Sequence, residues 1–280
     1  MKIFIPEKAR KGVGGGWTFT RNIMKALAGQ VQFVGKLEDC DIYFITGPTL
    51  AEKEEVKMAK QLGKKIVLRV DNAPRNARNR NTGVTRLYDY AQMADLIIYQ
   101  SKWAKEFLQP FIKKDGEVIL NGVDTSIFKP EGAKVPQQGE VQYLYIRSSR
   151  DEIKRWETAW YHFQKWFFEN PKIHLWIAGK FSTDNDKYAF DFFGGAEKAY
   201  THIGFLENPH EIAELMRSAD FLLCPFSFEA CSNTVAEAMA CGLKIIYDTR
   251  DGGGIPEQVE AGVISVEIMA ENYLKEFKKL

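Results

Sequence analysis

The chain has 280 residues, a length that suits two domains of roughly 130 to 150 residues each, and two domains imply a cleft. Hydrophobic residues at 45% and aromatic residues at 13% suffice for packed cores, so the composition excludes disorder as the dominant state. The formal net charge is +1, and the sequence has no long acidic or basic tail. The composition therefore lacks the excess of basic residues that would indicate a nucleic-acid partner.

The cysteines and the N-terminus indicate the compartment. The four cysteines are Cys40, Cys224, Cys231 and Cys241. They lack the C-x-x-C spacing of zinc sites, and their apolar or helical surroundings fit reduced thiols in a cytosol. The segment from Met1 to Pro6 has no apolar core of a signal peptide, and no run reaches the roughly 20 apolar residues of a membrane span. We expect a soluble, cytoplasmic protein, with peripheral membrane contact left open.

Short apolar runs alternate with helical patterns, which is typical of βαβ units around a parallel sheet. The strands predicted in the first half are Ile3–Ile5, Val31–Val34, Ile42–Ile45, Ile66–Val70, Leu96–Tyr99 and Val118–Leu120. The helices predicted between them are Thr20–Leu27, Glu52–Leu62 and Lys102–Leu108. From Glu131 to Gly139 the sequence is polar, contains Pro and Gly and has no periodicity, so it is predicted to be a linker.

The second half repeats this alternation. Its predicted strands are Gln142–Ile146, Ile173–Ala178, Phe221–Pro225 and Lys244–Tyr247, and its predicted helices are Trp156–Glu169, Pro209–Arg217, Thr234–Cys241 and Met269–Leu280. The sequence therefore predicts an α/β fold of two Rossmann-like domains that face each other across a cleft. We place the N-terminal domain at residues 1–133, the C-terminal domain at 134–265, and a final helix at 266–280 that packs back toward the N-terminal domain.

The segment from Phe221 to Ile246 reads as strand, loop, helix, turn and strand, and ligands of parallel α/β sheets bind at such strand-to-helix loops. Ser232, Asn233 and Thr234 stand where the helix should begin. The first N–H groups of a helix have no internal partner and can hold phosphate. This segment is therefore the candidate phosphate site.

Two glutamates flank the predicted helix start. Glu237 lies about four residues inside the helix, roughly 6 Å along its axis, which is comparable to the distance from a nucleotide's diphosphate to its ribose. A carboxylate there can accept both ribose hydroxyls. Glu229 stays in the loop before the helix, on the other side of the phosphates, where a bound sugar would lie.

The spacing of Glu229 and Glu237 inside P-x3-E-x7-E-A-M-A-x-G resembles the donor signature of glycosyltransferase family 4, retaining enzymes of the two-Rossmann GT-B fold. Further motifs follow in the family's order over most of the chain. They are Gly14–Gly16, Asn121–Asp124, Phe128–Pro130, Ser149–Arg150 with Lys154, and Gly204–Phe205. An ordered set of this kind is more specific than any of its members.

The resemblance implies transfer of a hexose from a nucleoside diphosphate sugar to an acceptor hydroxyl with retention of configuration. Glu229 would bind donor-sugar hydroxyls near the reacting carbon, and Glu237 would bind the ribose. Arg150 and Lys154 would hold the diphosphate, whose negative charge grows as the glycosidic bond breaks. The resemblance implies no cofactor and no metal. In such enzymes these cations and the helix N-terminus stabilise the diphosphate charge that a metal ion stabilises in other enzymes.

The family order also gives roles to the remaining motifs. The backbone of Gly15 and Gly16 could approach the phosphates, and base identity would depend on contacts near Phe205. Asn121 and Asp124 are cleft-lining candidates, although Asn-Gly and Asp also fit a simple turn. The glycines equally fit a flexible turn. The implied acceptor is a glycan, a lipid-linked group or a small molecule.

The sequence departs from the family pattern at three places. The family's histidine at the end of an N-domain strand is missing, and Asp71 stands nearest that position, either as an acceptor-side polar group or as a turn residue. The interval from Arg150 to Lys154 is one residue shorter than expected, which leaves Arg155 as a substitute for Lys154. Phe226 replaces the usual serine after the proline.

Three further patterns have alternative interpretations. The arginines Arg75, Arg78 and Arg80 fit either an anionic acceptor site or a solvated loop. The aromatic residues with helical spacing are Trp156, Trp160, Phe163 and Phe167, and they indicate a core-facing stripe more than a membrane anchor. The segment Asp184–Asp186 resembles a metal-binding Asp-x-Asp motif, but short motifs often match by chance.

Two other functions remain as alternatives. A Rossmann oxidoreductase would use the glycines from Gly12 to Gly16, but the first predicted strand ends near Ile5, well before them. A catalytically silent GT-B module would bind a sugar nucleotide or glycan within a complex. The missing histidine and the short chain favour that second alternative.

Overall fold

The computed structural model describes residues 1–12, 14–71, 83–147, 152–179, 181 and 199–280. The chain divides into two compact units. Unit 1 contains Met1–Val123, Glu229–Ser232 and Ile264–Leu280, and unit 2 contains Asp124–Phe228 and Asn233–Val263. Each unit is built on its own parallel sheet, which confirms the predicted α/β fold class with two Rossmann-like units.

The sheet of unit 1 has six strands in the order β2-β1-β3-β4-β5-β6, with parallel neighbours. The strands are β1 Lys2–Phe4, β2 Gln32–Phe33, β3 Ile42–Ile45, β4 Lys65–Val70, β5 Leu96–Tyr99 and β6 Glu117–Val118. Every residue of β3 is buried, because helices cover both faces of a parallel sheet and its central strands become continuously apolar. The predicted bounds of β3 and β5 are confirmed.

The helices of this first part of the chain are α1 Glu7–Arg10, α2 Gly15–Ala26, α3 Lys53–Gln61, α4 Gly83–Met93 and α5 Lys102–Ile112. The predicted start of α2 at Thr20 is wrong, because Gly15 and Gly16 form its first turn. The sequence prediction missed α4, although its buried Leu87, Tyr90 and Ala91 have helical spacing. Helix α5 begins at a serine cap, since the Ser101 hydroxyl accepts a hydrogen bond from the Ala104 N–H at 3.0 Å.

The sheet of unit 2 has five strands in the order β11-β10-β7-β8-β9, again with parallel neighbours. The strands are β7 Val141–Arg147, β8 Ile173–Gly179, β9 Tyr200–Gly204, β10 Phe221–Cys224 and β11 Lys244–Tyr247. The helices are α6 Trp156–Glu169, α7 Pro209–Arg217, α8 Asn233–Ala240 and α9 Ile255–Ala261. The predicted bounds of α6, α7 and β11 are confirmed, whereas β9 and α9 were not predicted.

The aromatic stripe of α6 belongs to the core of unit 2. Trp156, Trp160 and Phe163 are buried, and Trp156 stacks on Trp160 with ring centroids 5.4 Å apart. The core interpretation of this stripe is therefore confirmed. In the part of the chain that the structure describes, no helix combines the length and the apolar character needed to cross a bilayer.

The last helix, α10 Val266–Phe277, belongs to unit 1. Its Tyr273 and Phe277 are buried, and both rings contact Phe44 of β3, with centroids 5.5 and 5.2 Å apart. Tyr273 also contacts Phe19 of α2 at 5.5 Å. The C-terminal helix is thus part of the core that contains the first strands of the chain.

We predict that Phe277→Ala lowers the free energy of unfolding by about 3 to 5 kcal/mol, because it removes a buried ring and leaves a cavity among other rings. Urea unfolding measures the change. Phe168→Ala is the matched control, since that ring is 82% exposed and its removal is expected to change stability by less than about 0.5 kcal/mol. Equal effects of the two changes would contradict the placement of α10 in the core.

Candidate functional site

The segment after β10 leads from the sheet of unit 2 to the predicted donor residues. Phe226 and Ser227 are buried, and the Ser227 N–H donates to the Ile153 carbonyl at 2.9 Å. Phe228 is 46% exposed, has the left-handed φ of 53°, and donates its N–H to the Asp251 carbonyl at 2.9 Å. These backbone hydrogen bonds fix the path of the chain up to residue 228.

Helix α8 begins at Asn233, directly after Ser232, so the polar triplet lies at the helix start as the sequence indicated. Asn233 and Thr234 are its first two residues, and Glu237 is its fifth. The buried positions of the helix hold only Val and Ala, which lets the backbone pack closely on the sheet. The spacing predicted from the sequence between helix start and Glu237 is therefore present.

Glu237 has an unusual environment for a glutamate. The side chain is half-buried, and burial raises the pKa of its carboxyl to about 8. Among the described residues, no group donates a hydrogen bond to this carboxylate or pairs with it. A desolvated carboxyl without protein partners is able to accept hydrogen bonds from a ligand.

We predict that Glu237→Gln stabilises the protein more at pH 9 than at pH 5. The folded-state pKa of about 8 exceeds the ordinary value of 4.5 for a glutamate, so the folded state binds the extra proton and stability falls as pH rises between these values. Glutamine removes that loss. We expect a gain of roughly 2 kcal/mol at pH 9, below the full linkage value because some solvent reaches the side chain.

Urea unfolding at pH 5, 7 and 9 measures this difference. Glu38→Gln, at an exposed position of unit 1, serves as the control for replacing any glutamate. A stability difference between Glu237→Gln and the unchanged protein that does not vary with pH would contradict the raised pKa.

Lys154 and Arg155 are neighbours in sequence with different surroundings in unit 2. The Lys154 ammonium lies over the Phe226 ring, 4.0 Å from its centroid. The Arg155 guanidinium instead forms ion pairs with Asp248 at 3.0 Å and Asp251 at 3.7 Å. Two carboxylates therefore offset the charge of Arg155, while Lys154 rests on a neutral ring.

The carboxylate that pairs with Arg155 is itself held in place. The N–H groups of Arg250 and Asp251 donate to Asp248, and these hydrogen bonds, together with Arg155, lower the pKa of its carboxyl.

Phe226, the residue that replaces the family's serine, supplies the ring beneath Lys154. The sequence interpretation gave no role to that phenylalanine.

Asp71 follows β4 in unit 1 and lies against two glycines. A β-carbon on Gly47 would lie 2.7 Å from the Asp71 Oδ2 atom, so a side chain at position 47 would displace this carboxylate. A β-carbon on Gly16 would lie 3.5 Å from the same atom. The structure thus brings together Asp71 and the N-terminal turn of α2, which contains Gly15 and Gly16. The helix dipole favours a carboxylate at that position.

The two cleft-lining candidates have different surroundings. Asn121 is buried in unit 1 and hydrogen-bonded to Arg69, Gln100 and Cys231. Asp124, in unit 2, accepts a hydrogen bond from the Ser126 N–H at 3.1 Å, which is a local turn. Their assignment to a cleft stays a prediction.

Comparison with known proteins gives a family likeness for the second half of the chain and the fold of the whole. Residues 144–279 match the family glycosyl transferases group 1. The chain has the GT-B fold, and its second half is similar to this family. No curated protein matches it in sequence, but several solved structures share its fold.

Three of these structures show the extent of the likeness. HepE from Anabaena, in complex with UDP and glucose, has a TM-score of 0.68 and 17% identity, over 97% of this chain and 88% of that chain. Sucrose-phosphate synthase from Thermosynechococcus elongatus has a TM-score of 0.69 and 13% identity, over 99% and 90%. The pneumococcal O-GlcNAc transferase GtfA, with UDP and GlcNAc, has a TM-score of 0.59 and 16% identity, over 94% and 53%.

Several predicted site residues of this chain lie outside the described residues. They are Ser149, Arg150, the arginines Arg75, Arg78 and Arg80, and Asp184–Asp186. Phe205 is described, and it lies half-buried directly after β9. Within the described ranges, no group of three His, Cys, Asp or Glu side chains is arranged to hold a metal ion.

A cavity of about 260 Å³ lies in unit 2 between α6 and the ends of β10 and β11. Its walls include His162, Trp166, Tyr247 and Asp248, and neither Glu237 nor Lys154 lines it. We therefore do not assign the donor to this cavity.

The oxidoreductase alternative also loses support. Helix α1 lies between β1 and the glycines from Gly12 to Gly16, and it displaces them from the end of the strand.

Proposed function

We propose that this glycosyltransferase transfers a hexose from a nucleoside diphosphate sugar to an acceptor hydroxyl with retention of configuration. The observation that carries the proposal is Glu237, a desolvated carboxyl one turn inside a helix that follows a β-strand. Vicinal ribose hydroxyls would give that carboxyl the donors it lacks, and they favour its ionised form. Binding of the donor should therefore lower the pKa of Glu237.

The diphosphate would lie at the start of α8, near the N–H groups of Asn233 and Thr234. Lys154, whose ammonium lies over the Phe226 ring, would hold it through its positive charge. As the bond between the anomeric carbon and the phosphate oxygen breaks, the leaving diphosphate gains charge. A fixed cation there stabilises the transition state more than the ground state.

Glu229 would accept hydrogen bonds from hydroxyls of the donor sugar, close to the reacting carbon. Asp71 would face the acceptor, and Arg150, Arg155, Gly15, Gly16 and Phe205 keep the roles that the family resemblance implies. Retention, independence from metals, a cytoplasmic location and a glycan, lipid-linked or small-molecule acceptor are parts of the same proposal. Resemblance to glycosyltransferase family 4 supports them.

The experiment begins with a thermal-shift screen against UDP-, GDP- and ADP-sugars, followed by transfer to glycan and small-molecule acceptors in EDTA. NMR of the product gives the configuration at the anomeric carbon. We expect one nucleotide class to raise the melting temperature and a product with the donor's configuration. Inverted configuration, or turnover that EDTA abolishes, would contradict the mechanism. Tight donor binding without transfer to any acceptor would support a silent binding module instead.

A further inference from the structure

Arg69 is a buried cation next to the last residue of β4, where it follows the apolar run Ile66–Leu68. Its side chain is 2% exposed, and among the described residues no carboxylate forms an ion pair with it. Its guanidinium donates to the Thr46 carbonyl at 2.8 Å, to the Gln100 side-chain oxygen at 2.8 Å, and to the Asn121 side-chain oxygen at 3.0 Å. One side chain thus joins the ends of three neighbouring segments of unit 1.

Stability does not account for this residue. A buried charge costs several kcal/mol in desolvation, and apolar replacements of buried ionic groups are often neutral or stabilising. Within the described residues, the Arg69 Nε and the hydroxyl of the nearby Tyr273 are buried without a geometrically acceptable hydrogen bond. Burial raises the pKa of Tyr273, and the nearby Arg69 opposes part of that rise. These buried polar groups therefore lower stability, and we look for the role of the cluster in geometry.

One arm of the cluster reaches the segment that contains Glu229. The Asn121 side-chain amide donates to the Cys231 carbonyl at 3.2 Å, and the Asn121 N–H lies 3.4 Å from the Cys231 sulfur. Both residues are buried, and Cys231 is two positions from Glu229. Arg69 thus holds residues 229–232 through Asn121.

The other arm reaches the N-terminal turn of α2. The Thr20 hydroxyl donates to the Gly16 carbonyl at 2.9 Å, so the Thr46 hydroxyl, 2.8 Å away, donates to Thr20. The Arg69 guanidinium carbon also lies 3.7 Å from the centroid of the Phe19 ring, in the same helix. The cluster therefore connects Gly16 to the segment 229–232 within one unit.

We propose that Arg69 is a positioning residue of the transfer reaction, which fixes Glu229 relative to the helix start at Gly15 and Gly16. This inference rests on the proposed function for its catalytic consequence. Arginine is needed because its planar fork reaches several acceptors at fixed angles, whereas the single ammonium of lysine keeps the charge and loses that geometry. A misplacement of about 1 Å in a site costs up to about 100-fold in rate.

The test compares Arg69→Lys with Arg10→Lys. Arg10 is a matched control in unit 1, since it donates to the Ile5 and Val34 carbonyls and lies over the Phe4 ring, without any link to residues 229–232. We expect Arg69→Lys to increase amide hydrogen exchange in residues 229–232 at least about tenfold and to lower kcat about 10- to 100-fold. KM for the donor and Kd for the nucleoside diphosphate should change less than threefold. Arg10→Lys should leave all four quantities unchanged.

If Arg69→Lys does not fold, Asn121→Asp is the second variant. It keeps an oxygen for Arg69 and removes the amide that donates to Cys231, so the same changes are expected. Unchanged exchange in residues 229–232, unchanged kcat, or equal losses in Arg10→Lys would overturn the inference. Hydrogen exchange needs no turnover, so it decides the positioning role even if the protein binds no nucleotide sugar and the proposed function fails.

Discussion

Glu229→Ala should lower kcat for transfer from the nucleotide sugar at least about 100-fold and leave the Kd for the free nucleoside diphosphate within about threefold. In the proposed mechanism, the change removes a carboxylate that would accept hydrogen bonds from the sugar, and these hydrogen bonds would tighten as charge develops at the anomeric carbon. The nucleotide contacts that we propose for α8 and Lys154 would stay intact. Steady-state kinetics and calorimetry with the diphosphate separate the two effects.

Glu38→Ala, an exposed glutamate of unit 1, controls for folding and expression in this experiment. Equal activity of Glu229→Ala and the unchanged protein would remove Glu229 from the mechanism. Equal loss of diphosphate affinity and kcat would instead place Glu229 at the nucleotide.

Lys154→Ala and Arg155→Ala should differ, although both remove one cation from adjacent positions. We expect Lys154→Ala to lower kcat about 100- to 1,000-fold, because its charge would stabilise the leaving diphosphate. For Arg155→Ala we expect a loss below about tenfold and a stability loss of about 1 kcal/mol, since its guanidinium pairs with Asp248 and Asp251. Kinetics and urea unfolding of both variants measure the contrast.

Lys165→Ala, on the exposed side of α6, controls for the loss of a lysine. If Arg155→Ala has the larger kinetic effect, Arg155 is the diphosphate ligand that the short spacing suggested. The ion pair with Asp248 would then have to open when the donor binds.

The alternation of apolar runs and helical patterns was sufficient to predict most strands and helices. Residues 42–45 and 156–169 form the predicted elements without any shift of bounds, because their burial repeats at short sequence intervals. The start of α2 was misplaced, since glycines disfavour a helix locally while packing around Phe19 and Thr20 stabilises this one. Tertiary contacts decided that boundary.

The sequence by itself determined the two parallel α/β units and the position of Glu237 one turn inside a helix. Both depend on neighbours a few residues apart. Only the tertiary structure showed the Arg69 cluster, because its hydrogen bonds join residues 52 positions apart, and the contact of Asn121 with Cys231 spans 110. The surroundings of Lys154 and Arg155 were equally unpredictable, since Phe226 and Asp248 lie in the segments after β10 and β11, far along the chain. Periodicity specifies elements, whereas the partners of a charge depend on how those elements pack.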